Sequence, residues 1–245
     1  MSTARVFPGD GVRALAAEFA GSALLLAIVV GSGVMGESLS AGVAGLALLA
    51  NAAATAAGLW VLIVLFAPSS GAHFNPAVTL VAWRARELPG RMAAAYVAAQ
   101  VAGAVVGVLL AHAMFDLDVW QPGVRARTGA GQWLAEAVAT AGLLLAMCLG
   151  GARAPRAVPA LVAAWIFAAY WFTASTSFAN PAVTLARALT TTFSGIRPLD
   201  VAPFVLAQLA GGLAGARLGA WWARSPLPGT SGASTIVATP DGADP

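Results

Sequence analysis

The sequence contains no lysine and few charged residues of any kind. All 13 basic residues are arginines, and charged residues make up 9% of the 245 residues. Hydrophobic residues make up 59%, whereas an ordinary soluble domain is about 45–50% apolar and about 25% charged. A soluble protein could not cover its surface with so little charge. The composition therefore excludes soluble enzymes and predicts an integral membrane protein that lies in a lipid bilayer.

Cysteine and histidine are also scarce. The single cysteine, Cys148, lies in an apolar run and cannot form an intrachain disulfide, so we interpret it as a small buried hydrophobe. His73 and His112 are the two histidines, and we interpret both as structural, so that neither a metal nor a cofactor is expected. The arginines lie singly or in pairs between apolar runs, which excludes a nucleic-acid-binding surface.

Long uncharged windows dominate the rest of the chain. A helix of about 20 residues crosses the apolar core of a bilayer. By that length the windows predict six spans, at residues 14–34, 42–66, 92–114, 132–150, 157–174 and 202–223. Two apolar remainders, near residues 67–83 and 175–187, are too short to cross and too apolar for ordinary loops. We predict that both are re-entrant segments, because non-helical backbone at membrane depth must be buried in protein or line a wet cavity.

The arginines predict the orientation of the spans, because cytoplasmic loops carry an excess of basic residues. With both termini cytoplasmic, nine arginines lie inside and four lie outside. The inner set is Arg5, Arg13, Arg84, Arg86, Arg91, Arg153, Arg156, Arg217 and Arg224, and the outer set is Arg125, Arg127, Arg187 and Arg197. Residues 226–245 are rich in Gly, Pro, Ser, Thr and Asp, and they predict a disordered cytoplasmic tail.

The chain contains an internal repeat. The sequence Asn-Pro-Ala-Val-Thr-Leu occurs at residues 75–80 and again at 180–185. Ala-Gln pairs ending at Gln100 and Gln208, and Ala-Glu pairs ending at Glu18 and Glu136, recur in the same order. Each half holds three spans, an odd number, so the halves must insert in opposite orientations. The sequence therefore predicts two inverted repeats, residues 1–115 and 116–225, with a site between them near the midplane.

Each Asn-Pro-Ala motif predicts the start of a short helix. Asparagine is a favoured N-cap, and proline is tolerated in the first helical turn. We expect half-helices at about residues 75–86 and 180–190, which enter from opposite faces and point their positive dipole ends at the membrane centre. The site residues of this hypothesis are Asn75, Pro76, Ala77, Asn180, Pro181 and Ala182. The arrangement would bind a neutral hydroxylated solute and repel cations.

Glu18 and Glu136 are intramembrane carboxylates at equivalent places in the two repeats. Such residues are functional hypotheses by default. They could relay protons, or each could accept hydrogen bonds from the backbone of the re-entrant segment in its own half. We favour the second interpretation, because the repeat matches one carboxylate to each segment.

The paired Asn-Pro-Ala motifs, the paired glutamates and the segment Gly-Ala-His-Phe-Asn-Pro-Ala resemble the aquaporin (major intrinsic protein) family over roughly residues 10–223. The resemblance implies an all-α membrane fold, a right-handed bundle of six transmembrane helices plus two re-entrant half-helices. It further implies one pore per subunit, a homotetramer, no enzymatic activity, and passive passage of water, glycerol or other small uncharged solutes.

The sequence departs from the family at its selectivity filter. Aquaporins usually have arginine directly after the second motif, where this chain has Val183. Arg187 follows one helical turn later, and we do not expect it to replace the missing group. Counting back from the motifs without gaps places the other filter positions at Thr55, Ala168 and Ser177. These residues predict a constriction that is wide, weakly polar and uncharged.

Residues 170–184 resemble the bacterial aquaporins that are encoded in arsenic-resistance operons, which also have valine after the second motif. That resemblance implies a bacterial inner membrane protein that passes arsenite, the neutral As(OH)3 near pH 7, and methylated arsenicals. Two alternatives remain open at this point. One is a water or polyol facilitator with the same fold, and the other is a proton-coupled secondary transporter that uses Glu18 and Glu136.

Overall fold

The computed structural model describes residues 11–224, so the predicted tail at 226–245 lies outside the described residues. Within the described range the chain forms eight α-helices and no strands. They are α1 (Gly11–Leu39), α2 (Ala44–Ser70), α3 (Pro76–Arg84), α4 (Gly90–Met114), α5 (Ala130–Arg153), α6 (Val158–Phe172), α7 (Pro181–Arg187) and α8 (Val201–Ala223). Six of them are long and apolar enough to cross a membrane, α6 and α8 when counted with the 3-10 turns that precede them at Pro155–Ala157 and Pro198–Asp200, whereas α3 and α7 are short. The predicted all-α fold with six spans and two half-helices is confirmed.

The helix bounds differ from the predicted ones in understandable ways. Helix α1 is longer than residues 14–34, because hydropathy windows report only the apolar centre of a span. Helix α2 continues through Pro68 and ends where Gly71 takes a left-handed conformation with φ of 84°, its N–H bonded to the carbonyl of Ala67. Both half-helices are shorter than predicted at both ends. Asn75 and Asn180 are caps with extended backbone rather than helical residues, and the helices end at Arg84 and Arg187.

Close backbone contacts join α1 to α4 and α5 to α8. A Cβ atom on Gly107 would lie 2.1 Å from the carbonyl oxygen of Ala23, and one on Gly215 would lie 2.0 Å from that of Ala141. Gly103 and Gly211 make the equivalent approaches one turn earlier, to the backbone of α1 and α5. Small residues at this spacing let helix backbones meet in a membrane. The two halves of the chain therefore use the same packing device.

Helices α2 and α6 lie on the outside of the described chain. Only 28% of the most apolar window of each is buried. The exposed apolar side chains of α2 include Leu46, Leu49, Trp60, Val61, Val64 and Leu65. An apolar outer surface is what the hydrocarbon of a bilayer requires. The chain is therefore a multi-pass membrane protein whose polar groups lie mostly inside.

Candidate functional site

The two Asn-Pro-Ala motifs begin α3 and α7 in the same way. The Oδ1 atom of Asn75 accepts a hydrogen bond from the backbone N–H of Ala77, with 2.9 Å between the atoms. The Oδ1 atom of Asn180 accepts from the N–H groups of Ala182 and Val183 at 2.9 and 3.3 Å. These caps satisfy N–H groups that a helix start leaves without partners.

The two half-helix starts also bond to each other. The Nδ2 atom of Asn75 donates to the carbonyl of Ala179 at 2.8 Å, and that of Asn180 donates to the carbonyl of Phe74 at 2.7 Å. An asparagine amide carries two N–H donors. The reciprocal bonds use one donor of each side chain and leave the second for another acceptor.

Both asparagines lie on the wall of a cavity of about 320 Å³. Most of its lining is apolar and comes from α1, α2, α5 and α6, as the side chains of Leu25, Val29, Leu59, Ile63, Leu143, Val162 and Ile166 illustrate. Polar side chains are few, namely Thr55, His73, Asn75, Tyr170, Ser177, Asn180 and Arg187. An apolar cavity with a few placed polar groups is the usual form of a small-molecule site.

Glu18 is fully buried and accepts four hydrogen bonds. Its Oε1 accepts from the hydroxyl of Ser70 at 2.6 Å and from the N–H of His73 at 2.9 Å. Its Oε2 accepts from the N–H of Phe74 and from the amide of Gln100, both at 2.7 Å. Two of these donors are backbone groups of the segment that leads to Asn75. The carboxylate therefore holds this segment in place.

Glu136 makes the equivalent contacts in the second half. It accepts from the N–H groups of Phe178 and Ala179, both at 2.9 Å, and from the amide of Gln208 at 2.5 Å. The same Gln208 amide also donates to the hydroxyl of Thr184 on α7 at 2.7 Å. Each carboxylate thus connects one re-entrant segment to the helices around it.

Three of the four predicted filter residues lie on the cavity wall. Thr55, Ser177 and Val183 all line the cavity, and each is at most 5% exposed. The hydroxyl of Ser177 has no hydrogen-bond partner within residues 11–224. The hydroxyl of Tyr170 donates to that of Thr55 at 3.4 Å, so a further hydroxyl lies beside the predicted set.

The structure places Ala168 away from the cavity, unlike the other three predicted filter residues. Ala168 is exposed and does not line the cavity, whereas Ile166 and Tyr170 of the same helix do. Successive helical residues turn by about 100°, so a position two residues away lies on the opposite face. Counting back from Asn180 crosses the non-helical segment between α6 and α7, and that segment hides the helical phase. Tyr170 and Ile166 occupy the wall that was assigned to Ala168.

Arg187 also lies on this wall, contrary to the expected uncharged constriction. The residue is 2% exposed, and its Nε donates to the carbonyl of Ser194. Its Cζ atom lies 3.4 Å from the centre of the Phe178 ring, a close cation–π contact. Residues four apart on a helix share a face, so the spacing from Val183 could have placed Arg187 in the cavity.

A second arginine, Arg127, also contacts the ring of Phe178. The Cζ atom of Arg127 lies 4.8 Å from the centre of the Phe178 ring, and its Nη1 donates to the carbonyl of Ser175 at 3.0 Å. Burial, followed by the charges of Arg187 and Arg125, lowers the pKa of Arg127 to about 9. Arg127 comes from the segment between α4 and α5, for which no periodic pattern exists, and sequence reasoning did not predict its position.

The histidines occupy different environments. His112 is buried, with Nδ1 2.9 Å from the carbonyl of Val119 and Nε2 2.8 Å from the hydroxyl of Thr190. His73 lines the cavity, and its Nδ1 lies 3.0 Å from the hydroxyl of Thr79. Across the described part of the chain, no three His, Cys, Asp or Glu side chains come together as a metal site would require.

Comparison with known proteins identifies similar sequences. A sequence model of the family described as "Major intrinsic protein" matches residues 8–170. Aquaglyceroporin AqpS of Rhizobium meliloti (strain 1021) is 55% identical over 213 residues, which cover 86% of this chain and 91% of that protein. The propanediol uptake facilitator PduF of Citrobacter freundii is 45% identical over 58 residues, covering 24% of this chain and 22% of that one.

A solved structure has the same fold. The X-ray structure of the aquaglyceroporin from Plasmodium falciparum matches with a TM-score of 0.64 and 18% sequence identity, and the match covers 87% of this chain and 96% of that chain. At this identity the likeness concerns the arrangement of the helices. The six spans and two half-helices therefore form a known fold.

Proposed function

This chain belongs to the major intrinsic protein family, and from that premise we propose that it passes metalloid hydroxides such as arsenite, and methylated arsenicals, down their gradients. The chain is an aquaglyceroporin-type channel of the water and glycerol family and not an enzyme. The proposal concerns the solute that the cavity admits.

The observation that carries the proposal is the wall beside the second motif. Val183 is a short side chain at the position where a long one would narrow the cavity, and the hydroxyls of Thr55, Ser177 and Tyr170 lie on the same wall. The free N–H donors of Asn75 and Asn180 face a solute from the centre. As(OH)3 is larger than water, uncharged, and carries three hydroxyls, so it matches a wide cavity with few polar groups.

A water or polyol facilitator is the second candidate, and two relatives favour it by name. One is called an aquaglyceroporin and another a propanediol uptake facilitator. Glycerol also carries three hydroxyls, so the same wall suits it. The two candidates differ in the solute and share the pathway.

A proton-coupled transporter is disfavoured by the contacts of the glutamates. Glu18 accepts four hydrogen bonds and Glu136 accepts three, and in each case two of the donors are backbone N–H groups of a re-entrant segment. A relay carboxylate must exchange its proton with a mobile partner. We propose instead that both residues brace the half-helices, and that Asn75 to Ala77 and Asn180 to Ala182 form the centre of the pathway.

The test is solute flux into vesicles that contain the purified protein. Stopped-flow light scattering would follow water and glycerol, and arsenite uptake would be measured in parallel, with empty vesicles as the baseline. We expect flux of all three solutes above the baseline. Val183→Phe should fill part of the cavity and reduce solute flux. Leu185→Phe on the same half-helix should leave the flux unchanged, because Leu185 is 43% exposed and does not line the cavity.

Each contrary result selects another function. Glycerol or water flux without arsenite flux would select the facilitator and reject the metalloid proposal. Accumulation of solute against its gradient would select the transporter. Equal block by both phenylalanine variants would mean that Val183 does not border the pathway.

A further inference from the structure

Arg187 is a buried charge without a carboxylate partner in the described chain. Between residues 11 and 224, the ion pair within 4 Å joins Arg197 to Asp200 and does not involve Arg187. Burying a charge without a paired counter-charge costs several kcal/mol in general. An ionisable side chain kept inside a membrane protein despite this cost is a functional candidate.

The guanidinium of Arg187 is held rigidly from two sides. Its Nε donates to the carbonyl of Ser194, whose own hydroxyl donates to the carbonyl of Val29 on α1 at 3.0 Å. The face of the group lies against the ring of Phe178. These contacts leave its Nη1 atom buried and without a partner among the described residues.

A buried N–H group without a partner is an exception, because nearly all buried polar groups in proteins are hydrogen-bonded. Arg187 lines the same cavity as Asn180, Ser177 and Val183. Its uncompensated positive charge therefore lies beside the path that a solute in this cavity would take.

We infer that the guanidinium of Arg187 is the cation barrier of the solute pathway. This inference rests on the proposed function, because it requires that solutes use the cavity. Under this inference Arg187 provides the positive charge that repels cations, because the side chain at position 183 is an uncharged valine.

The charge of a single arginine can distinguish cations from neutral solutes. A fixed positive charge in a site of low dielectric repels a cation at close range by several kcal/mol, whereas a neutral solute is not repelled. Arg127 on the same phenyl ring adds a second positive charge, and the N-terminal ends of α3 and α7 add positive dipole ends. A pathway that admits solutes wider than water therefore still excludes hydronium and metal cations.

A purely structural role is the alternative, since Arg187 also connects α7 to the segment that contains Ser194. Arg125 offers a matched control. It donates to the carbonyl of Phe193 at 2.7 Å and its Cζ lies 5.2 Å from the Phe193 ring, but it does not line the cavity. Both arginines bind one carbonyl and one ring, and they differ in access to the pathway.

The experiment measures proton and potassium leak together with glycerol flux in the same vesicles. The wild type should pass glycerol with little cation leak. Arg187→Met should raise the leak by about tenfold or more and retain glycerol flux, whereas Arg187→Lys and Arg125→Met should keep the leak low. Val183→Arg in the Arg187→Met background should lower it again, because it returns a guanidinium to the wall.

Contrary outcomes are separable. Arg187→Met that passes glycerol without added leak would overturn the inference and leave the proposed function intact. Arg187→Gln, which keeps donors for the Ser194 carbonyl, serves the same purpose if the Met variant does not assemble. A wild type that leaks cations as readily as it passes glycerol would overturn the inference without any substitution. A wild type that passes no solute would instead overturn the proposed function.

Discussion

Val183 and Arg187 lie four residues apart on α7, so their side chains share one face of the half-helix. The first leaves space on the cavity wall and the second carries the charge there. Val183 thus sets the width of the cavity at this wall, and Arg187 sets the charge there. At the scale of the residue, selectivity can then be changed in either property separately.

The first prediction concerns the space beside Val183. Val183→Arg should reduce glycerol and arsenite flux by about tenfold or more, with part of the water flux retained, because a second guanidinium fills the wall and adds desolvation cost for wide solutes. Flux of all three solutes by stopped-flow light scattering and uptake checks it. Val183→Thr is nearly equal in size and should leave glycerol flux unchanged. Undiminished glycerol flux in the arginine variant would contradict the assignment.

The second prediction concerns the buried carboxylate Glu136. Glu136→Gln keeps one side-chain oxygen but replaces the other with an NH2 donor, so one of the N–H groups of Phe178 and Ala179 loses its acceptor. We expect a loss of about 1–3 kcal/mol in the free energy of unfolding, the range typical for leaving a buried donor without an acceptor. Thermal melting of the detergent-solubilised protein measures it, with exposed Glu37→Gln as the control. A melting temperature equal to that of the control would argue against bracing.

At the scale of the helix, the glycines of α4 and α8 set the distance between neighbouring spans. Gly107 and Gly215 each meet a backbone carbonyl at a distance that excludes even a methyl group. A backbone oxygen cannot turn away as a side chain can. The helices would have to separate to admit a larger residue.

Gly107→Ala should therefore destabilise the protein even though alanine is the better helix former. Overpacking typically costs about 1–3 kcal/mol, which exceeds the gain of about 1 kcal/mol from helix propensity. Gly45→Ala on α2, where a Cβ would meet nothing within 4 Å, should be neutral or stabilising. The melting temperatures of the two variants test this prediction, with a decrease expected only for Gly107→Ala. Equal shifts would contradict close packing at Gly107.

Much of this architecture follows from the sequence, because its signals are periodic or local. Length and apolarity predict six spans, and the Asn-Pro pairs predict where the half-helices begin. The repeat predicts that Glu18 and Glu136 occupy equivalent places. Helical phase at the end of α6 could not be predicted, because the irregular segment before Asn180 breaks the count that led to Ala168.

Contacts between distant segments were also beyond prediction. Arg127 reaches Phe178 from a connecting segment, and only the folded chain brings them together. The spacing of four residues from Val183 indicates the face on which Arg187 lies. The direction of its guanidinium could not be predicted, because it depends on Phe178 and Ser194, which the sequence does not connect to it.

At the scale of the whole molecule, the arginine distribution predicts a cytoplasmic location for both termini. In a Cys148→Ala background, Asp118→Cys should react in intact cells with a maleimide that cannot cross membranes, because it follows α4 on the predicted outer side. Glu87→Cys, on the predicted inner side, should react only after lysis. Both positions are exposed in the structure. The reverse labelling pattern would invert the orientation.

The exposed apolar face of α2 bears on assembly. We propose a homotetramer, as the family resemblance implies, in which part of this face is covered by neighbouring copies. Mass measurement of the solubilised protein, corrected for detergent, should give four times the chain mass of 24.5 kDa. A particle of a single chain mass, in detergents that preserve glycerol flux on reconstitution, would contradict this.

The reciprocal bonds of Asn75 and Asn180 have a consequence for biosynthesis. The ribosome releases the first motif long before the second, so the amide of Asn75 has no carbonyl of Ala179 to meet while the nascent chain is half made. The first loop thus remains unfinished until its counterpart is synthesised and inserted. The two reciprocal bonds can therefore form only after both halves of the chain are in the membrane.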